Sequence, residues 1–166
     1  KSLVTAPILT ATKAESNCYS SMFSGCTSLT NAPELPATTL EYGCYQSMFE
    51  GCTSLTKAPD LPATEPYAAC YEYMFFGCSK LNYVKCLLKP NNTITNATAN
   101  WLGGVAASGT FVKNNEADNW ERSNSGIPVG WTVQNDTPTA TYTLTVRGNN
   151  SRLTNGSSTN IGDATF

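Results

Sequence analysis

The chain has 166 residues, of which 40% are hydrophobic and only 13% charged; its net charge is -2 and it contains no histidine. So sparse a charge lacks the basic stripe that a nucleic-acid partner requires. No apolar run approaches the ~20 residues that cross a bilayer as a helix. Without His, a Ser or Cys nucleophile would need Lys or a carboxylate as its base, and no nucleophile-elbow string is present, so no enzymatic chemistry is expected.

The composition divides the chain. All seven Cys, all three Met and seven of the eight Tyr precede residue 87, whereas Trp101, Trp120 and Trp131 all follow residue 100. The first part repeats itself. CYSSMFSGC, opening on Cys18, returns as CYQSMFEGC from Cys44 and as CYEYMFFGC from Cys70, so the interval between copies is constant. The stretches between them superpose as SLVTAPILTAT from Ser2, SLTNAPELPAT from Ser28 and SLTKAPDLPAT from Ser54, and a fading copy, KLNYVKCLL, starts at Lys80. A period in the twenties marks units too small to bury a face alone, which do so by stacking on their neighbours. The chain opens on Lys1 midway through a repeat and is read as part of something longer.

Within each copy the apolar positions, such as 18, 19, 22, 23 and 26, follow the spacing of one helix face, with Ser20, Ser21 and Ser24 on the other. That spacing predicts a short amphipathic helix of about two turns. Gly25, Gly51 and Gly77 stand where such a helix would end in a left-handed residue. The Met and Phe pairs are read as core. Eight residues of helix hold two Cys ~12 Å apart, beyond the ~7 Å that a disulfide allows, so no bridge forms within a unit. Across units the equivalent Cys would stack at ~4.8 Å. Buried thiols acting as small hydrophobes are favoured over bridges. No C-x2-C pair is present, and neither a metal nor a cofactor is expected.

After the glycine, Leu29, Ala32 and Leu35 recur as Leu55, Ala58 and Leu61. The segment must be extended because Pro33 and Pro36 forbid helix, but proline also lacks the donor that a sheet ladder needs. Parallel ladders of two to four residues per coil are expected, with the prolines stacked beside them.

The string CYxxMFxGCTSLTxAPxLPAT, over residues 1 to about 88, resembles the BspA-like leucine-rich repeats of surface proteins from anaerobic oral and gut bacteria. It departs from the commoner form in placing Ala-Pro where an isoleucine often lies in the strand. The resemblance implies a right-handed leucine-rich-repeat solenoid, export to the cell surface, and a role in adhesion or host recognition. The expected fold class is therefore α/β: such a solenoid over 1–88, with short parallel strands and short helices, then a C-terminal cap over 89–134 and a linker with a β tail over 135–166.

Beyond Leu88 the period is expected to fail, with a short helix near 95–102, a Gly103-Gly104 stop, a strand at Gly109–Lys113 and another ending near Val133. The WLGG, GTFV and GIPxGW strings resemble the segment that closes repeat arrays in related bacterial surface proteins. In the tail, ATYTLTVRG alternates as a strand with one buried face, and an Asn155-Gly156 turn with a second short strand follows. A hairpin alone is marginal in water, so the tail either begins a further domain or pairs with another chain, through 140–147, or with another part of this one.

Positions that vary on a fixed apolar frame are the ones a ligand meets. On the extended side these are Asn31, Lys57 and Tyr83, with Glu34 and Asp60. On the other side stand Tyr73 and Phe76, which together with Tyr83 form an exposed aromatic patch unless the cap folds over them. The expected function is a non-enzymatic, surface-displayed module that binds a protein or glycan, host-derived ligands included. The alternative is a structural subunit of a larger assembly, fimbria-like or a virion fibre, using its tail strand for pairing.

Overall fold

The computed structural model describes residues 2–90, 94, 96–137, 142–147 and 150–155. By backbone contacts the chain divides into residues 1–136 and 137–166.

Among the described residues there is no helix, so the α/β leucine-rich-repeat solenoid with short helices expected from the sequence is not what the chain builds. Residues 15–26 instead form a run of overlapping turns. Alternate N–H groups close i to i+3 bonds: Cys18 to Glu15, Ser20 to Asn17, Met22 to Tyr19, Ser24 to Ser21 and Cys26 to Phe23. The N–H groups in between leave the segment altogether. Those of Asn17, Tyr19, Ser21, Phe23 and Gly25 donate to the carbonyls of Tyr42, Cys44, Gln46, Met48 and Glu50 in the next coil, at 2.7–3.0 Å. A helix would return every one of these donors to its own segment. Here half of them hold successive coils together.

The turns need a left-handed residue at every fourth position, and Asn17, Ser21 and Gly25 supply it with φ of 55°, 55° and 70°. Gly43, Ser47 and Gly51 do the same in the second turn segment, and Ala69, Tyr73 and Gly77 in the third. The helical reading failed because a repeat of four and one of 3.6 are nearly indistinguishable over so short a run. Both place 18, 22 and 26 on one side.

Stacking continues past Leu88, where the sequence suggested that the period fails. Tyr71, Tyr73, Phe75 and Gly77 donate to the carbonyls of Ala97, Ala99, Trp101 and Gly103, and Asn96, Asn100 and Gly104 are left-handed in turn. Residues 96–104, expected as a helix and its stop, are thus a fourth turn segment, which falls one position later than the period of the earlier coils would place it. With Trp101 in the place of Met74 and Leu102 in that of Phe75, the copy is unrecognisable as a string.

On the extended side, β1 (Lys13–Ala14) pairs parallel with β2 (Thr39–Leu40). Isolated parallel bridges join Thr5 to Asn31, Lys57 to Tyr83 and Leu61 to Cys86. Among the described residues longer strands appear only where proline is absent. β3 (Tyr83–Cys86), β4 (Gly109–Lys113) and β5 (Trp131–Asn135) form one parallel sheet in that order, with Phe111 opposite both Val84 and Val133.

The core is made of columns running along the stack. Leu29, Leu55 and Leu81 are buried, as are Cys44, Cys52, Cys70 and Cys78. Phe23, Phe49 and Phe75 stack at 5.4 and 5.5 Å between ring centroids. A second column runs Tyr19, Tyr45, Tyr71, Trp101 and Trp120 at 5.6–6.1 Å. The buried thiols behave as hydrophobes with weak donors: Cys52 and Cys78 reach the carbonyls of Phe23 and Phe49 at 3.2 and 3.0 Å. Burial pushes the Cys44 and Cys78 thiols up to about 12 and Cys70 to about 11, so none of these three is a reactive thiolate near neutral pH.

Gly25, Gly51, Gly77 and Gly104 form a further column. A Cβ on Gly51 would lie 3.9 Å from the Gly25 Cα, an ordinary contact, so the requirement for glycine there is its φ of 70°. Gly51→Val is expected to lower stability by about 1–2 kcal/mol through the left-handed conformation forced on a β-branched residue. Chemical denaturation checks this; an unchanged midpoint would mean that the turn tolerates any residue.

In residues 137–166, β6 (Tyr142–Arg147) pairs antiparallel with β7 (Asn150–Asn155), from Tyr142 opposite Asn155 to Arg147 opposite Asn150. The second strand therefore precedes the turn expected at Asn155-Gly156, of which Gly156 lies outside the described residues.

Candidate functional site

The extended segments of the second and third coils share a composition that prevents them from pairing well. Pro33 and Pro59 occupy the position that Lys85 holds in the following coil. Between the third and fourth coils, Ala58 N–H donates to Tyr83 at 2.9 Å, Asn82 to Thr56 at 3.0 Å and Leu61 to Lys85 at 3.0 Å. Among the described residues the equivalent bonds one coil earlier, from Ala32 to Lys57 and from Thr56 to Thr30, are not made. The donors of those bonds are not themselves prolines, but Pro33 and Pro59 beside them cannot donate, so no continuous ladder runs between the second and third coils.

Along that unpaired seam runs an open groove of about 520 Å³. Pro33, Pro36, Pro59 and Pro62 are among its lining residues, and so are Asn31, Glu34, Lys57 and Asp60. These last four are all exposed. They are four of the seven positions singled out because they vary on a fixed frame. Tyr83, a fifth, stands beside the groove, with the Lys57 ammonium 5.1 Å from its ring centroid. Such an exposed cation–π contact is worth ~0.5–1 kcal/mol and fixes where the Lys57 charge sits. Asp60 lies 4.0 Å from Lys85, whose nearer partner is Asp136 at 2.9 Å. Hydrogen bonding to Asp136 raises the Lys85 pKa, which keeps that ammonium charged. Among the described residues Glu34 has no cation within salt-bridge distance.

Tyr73 and Phe76 lie in the third turn segment, among residues that do not line this groove. Their rings meet edge to face at 5.6 Å. Phe76 remains 40% exposed yet packs over Gly103, where a Cβ would approach its ring to 2.8 Å. The Tyr73 hydroxyl accepts a hydrogen bond from Asn100 Nδ2 at 3.4 Å. The fourth turn segment thus covers part of the aromatic patch. Sequence reasoning missed Thr30, Thr56 and the four prolines as lining. The signal was there, since prolines at equal positions in two successive coils cannot join a ladder.

Among the described residues no three His, Cys, Asp or Glu side chains come together as a metal site, and no helix is long and apolar enough to cross a membrane. A second cavity, of about 360 Å³, lies beside Trp120. No protein-family model, curated protein or solved structure matches this chain.

Proposed function

We propose that the chain is a non-enzymatic recognition module, displayed at a cell surface, that binds a protein or glycan along the proline-walled groove of its extended face. The observation that supports this reading is the convergence of Asn31, Glu34, Lys57 and Asp60 on one seam between coils. A stacked array presents such a seam on a rigid backbone, so side chains on it can differ without cost to the fold. Membership of the BspA-like family is part of the same proposal. It rests on the three copies of CYxxMFxGC with their SLTxAPxLPAT continuation, and not on the helical architecture first inferred from them.

The test presents the full chain to arrays of glycans and host surface proteins, then repeats the binding with Lys57→Ala, Glu34→Ala and Asp60→Ala. Each variant is expected to weaken the captured ligand at least about fivefold, roughly 1 kcal/mol, with the unfolding midpoint unchanged. Loss only in Tyr73→Ala or Phe76→Ala would move the site to the turn face.

A second reading is favoured by one observation. Among the described residues β6 pairs with β7 alone, which leaves its other edge open to a further strand. On that reading the chain is a subunit of a larger assembly, such as a fimbria-like or virion fibre component, joined through residues 140–147, of which 140 and 141 lie outside the described residues. A concentration-dependent oligomer abolished by Thr143→Pro would favour it.

A further inference from the structure

The closing segment covers only part of the last coil. On the turn side the final donors are met: Asn100 N–H by Ser125 Oγ at 3.0 Å and Leu102 N–H by the Asn124 carbonyl at 3.1 Å. On the extended side the sheet stops at β5, and among the described residues no strand lies beyond it.

The outer edge of β5 is only partly satisfied. Asp136 N–H donates to the Lys113 carbonyl at 2.7 Å, and backbone groups alternate between the two edges of a strand. Those of Thr132 and Gln134 therefore face β4, and those of Trp131, Val133 and Asn135 face away. Trp131 is already served: its N–H donates to the Pro128 carbonyl at 3.1 Å, and its own carbonyl accepts from Arg122 at 2.8 Å. Among the described residues the outward N–H and C=O groups of Val133 and Asn135 meet nothing.

Nothing guards this edge. Edge strands are commonly blunted by lysine or proline, and β5, reading WTVQN, has neither. Thr132, Val133, Gln134 and Asn135 are all exposed. Val133 lies in the rung of Val84 and Phe111, both at 0% exposure, yet is itself 37% exposed because the sheet ends there.

The pattern of free groups is its own complement, and that selects the occupant. Each copy offers one donor and one acceptor at Val133 and again at Asn135, and a hydrogen-bonded pair of antiparallel residues exchanges one of each. Aligning Val133 of one copy with Asn135 of another, about a two-fold axis at Gln134, uses every outward group of both residues. Gln134 then faces its counterpart, and a primary amide both donates to and accepts from another. In that register Trp131 passes beyond the end of the second β5, so Arg122 keeps its place. With no charge on the strand, two copies meet without like-charge repulsion. Asp136 falls opposite Thr132 and retains Lys85 as its partner at 2.9 Å.

We propose that the outer edge of β5 is a docking surface for a second copy of this chain, paired antiparallel through Val133 and Asn135 about Gln134. The contact is small beside the ~1,200–2,000 Å² of a stable interface, so the dimer is weak, with a dissociation constant of about 0.1–1 mM. The inference is independent of the groove and uses a different strand from β6.

The experiment takes the full chain to about 1 mM in sedimentation equilibrium and in amide-exchange NMR. A dimer is expected, with exchange at Val133 and Asn135 slowed at least about twofold on concentration. Thr132 and Gln134, whose N–H groups already face β4, should not change. Gln134→Lys and Gln134→Glu set like charges across the axis; each is expected to raise the dissociation constant at least about fivefold with the unfolding midpoint unchanged, and an equimolar mixture of the two to dimerise again. A chain that stays monomeric at that concentration would overturn the proposal, as would a dimer indifferent to both variants. Protection of Val133 and Asn135 that does not depend on concentration would also overturn it, by assigning the edge to the chain's own residues. A dimer lost in Thr143→Pro but kept in Gln134→Lys would move the contact to β6.

Discussion

Trp101→Ala is expected to lower the stability of residues 1–136 by about 3–5 kcal/mol, as for other fully buried aromatic side chains. Trp101 is at 0% exposure; it takes the chain position that Met22, Met48 and Met74 hold earlier, while its ring extends the tyrosine column. Its ring lies 6.1 Å from Tyr71, 6.0 Å from Phe111 and 5.6 Å from Trp120, so it joins the stack of turns to the segment that closes it. The indole N–H also satisfies the Gly126 carbonyl. Trp101→Phe retains most of the apolar contact but leaves that carbonyl unmet, and is expected to cost about 1–3 kcal/mol. Urea unfolding of both variants checks the order. A domain of this size has some 5–15 kcal/mol in hand, so the alanine variant is expected to unfold at a markedly lower midpoint. Equal effects of the two variants would mean that the hydrogen bond, and not the ring, holds the closing segment.

Met48→Ala is expected to cost about 2–5 kcal/mol, whereas Met22→Ala, one coil earlier in the same column, should cost under about 1 kcal/mol. The two residues share a sequence context, CYxxMFxGC, and differ in what lies in front of them. Met48 has a coil on either side and is at 0% exposure; Met22 has a coil only behind it and is 44% exposed. Their difference measures what one added neighbour contributes at a single position. If both variants lost the same amount, the column would not be the unit of packing.

Much of this organisation was legible without coordinates. The constant repeat interval, the left-handed glycines and the apolar columns all follow from comparing the copies with one another. So did the short ladders, because prolines at equal positions forbid long ones. The fourth turn segment was not legible: Trp101 and Leu102 stand for Met and Phe, and a single insertion breaks the register. Nor was the groove, since four of the chosen residues come from two coils and meet only where a seam between those coils fails to pair.

The amino-acid sequence by itself determined that equivalent residues would stack, for so short a unit has no other way to bury Leu29, Leu55 and their like. Whether each unit coiled into a helix or into turns was decided by tertiary structure alone. In the first three turn segments about half of the N–H groups find their carbonyls in the next coil, about one full repeat further along the chain. A choice that rests on so distant a partner leaves no trace in the short CYxxMFxGC pattern, and Ser21, Ser47 and Tyr73 hold left-handed conformations that their residue types do not favour because the stack supplies those partners.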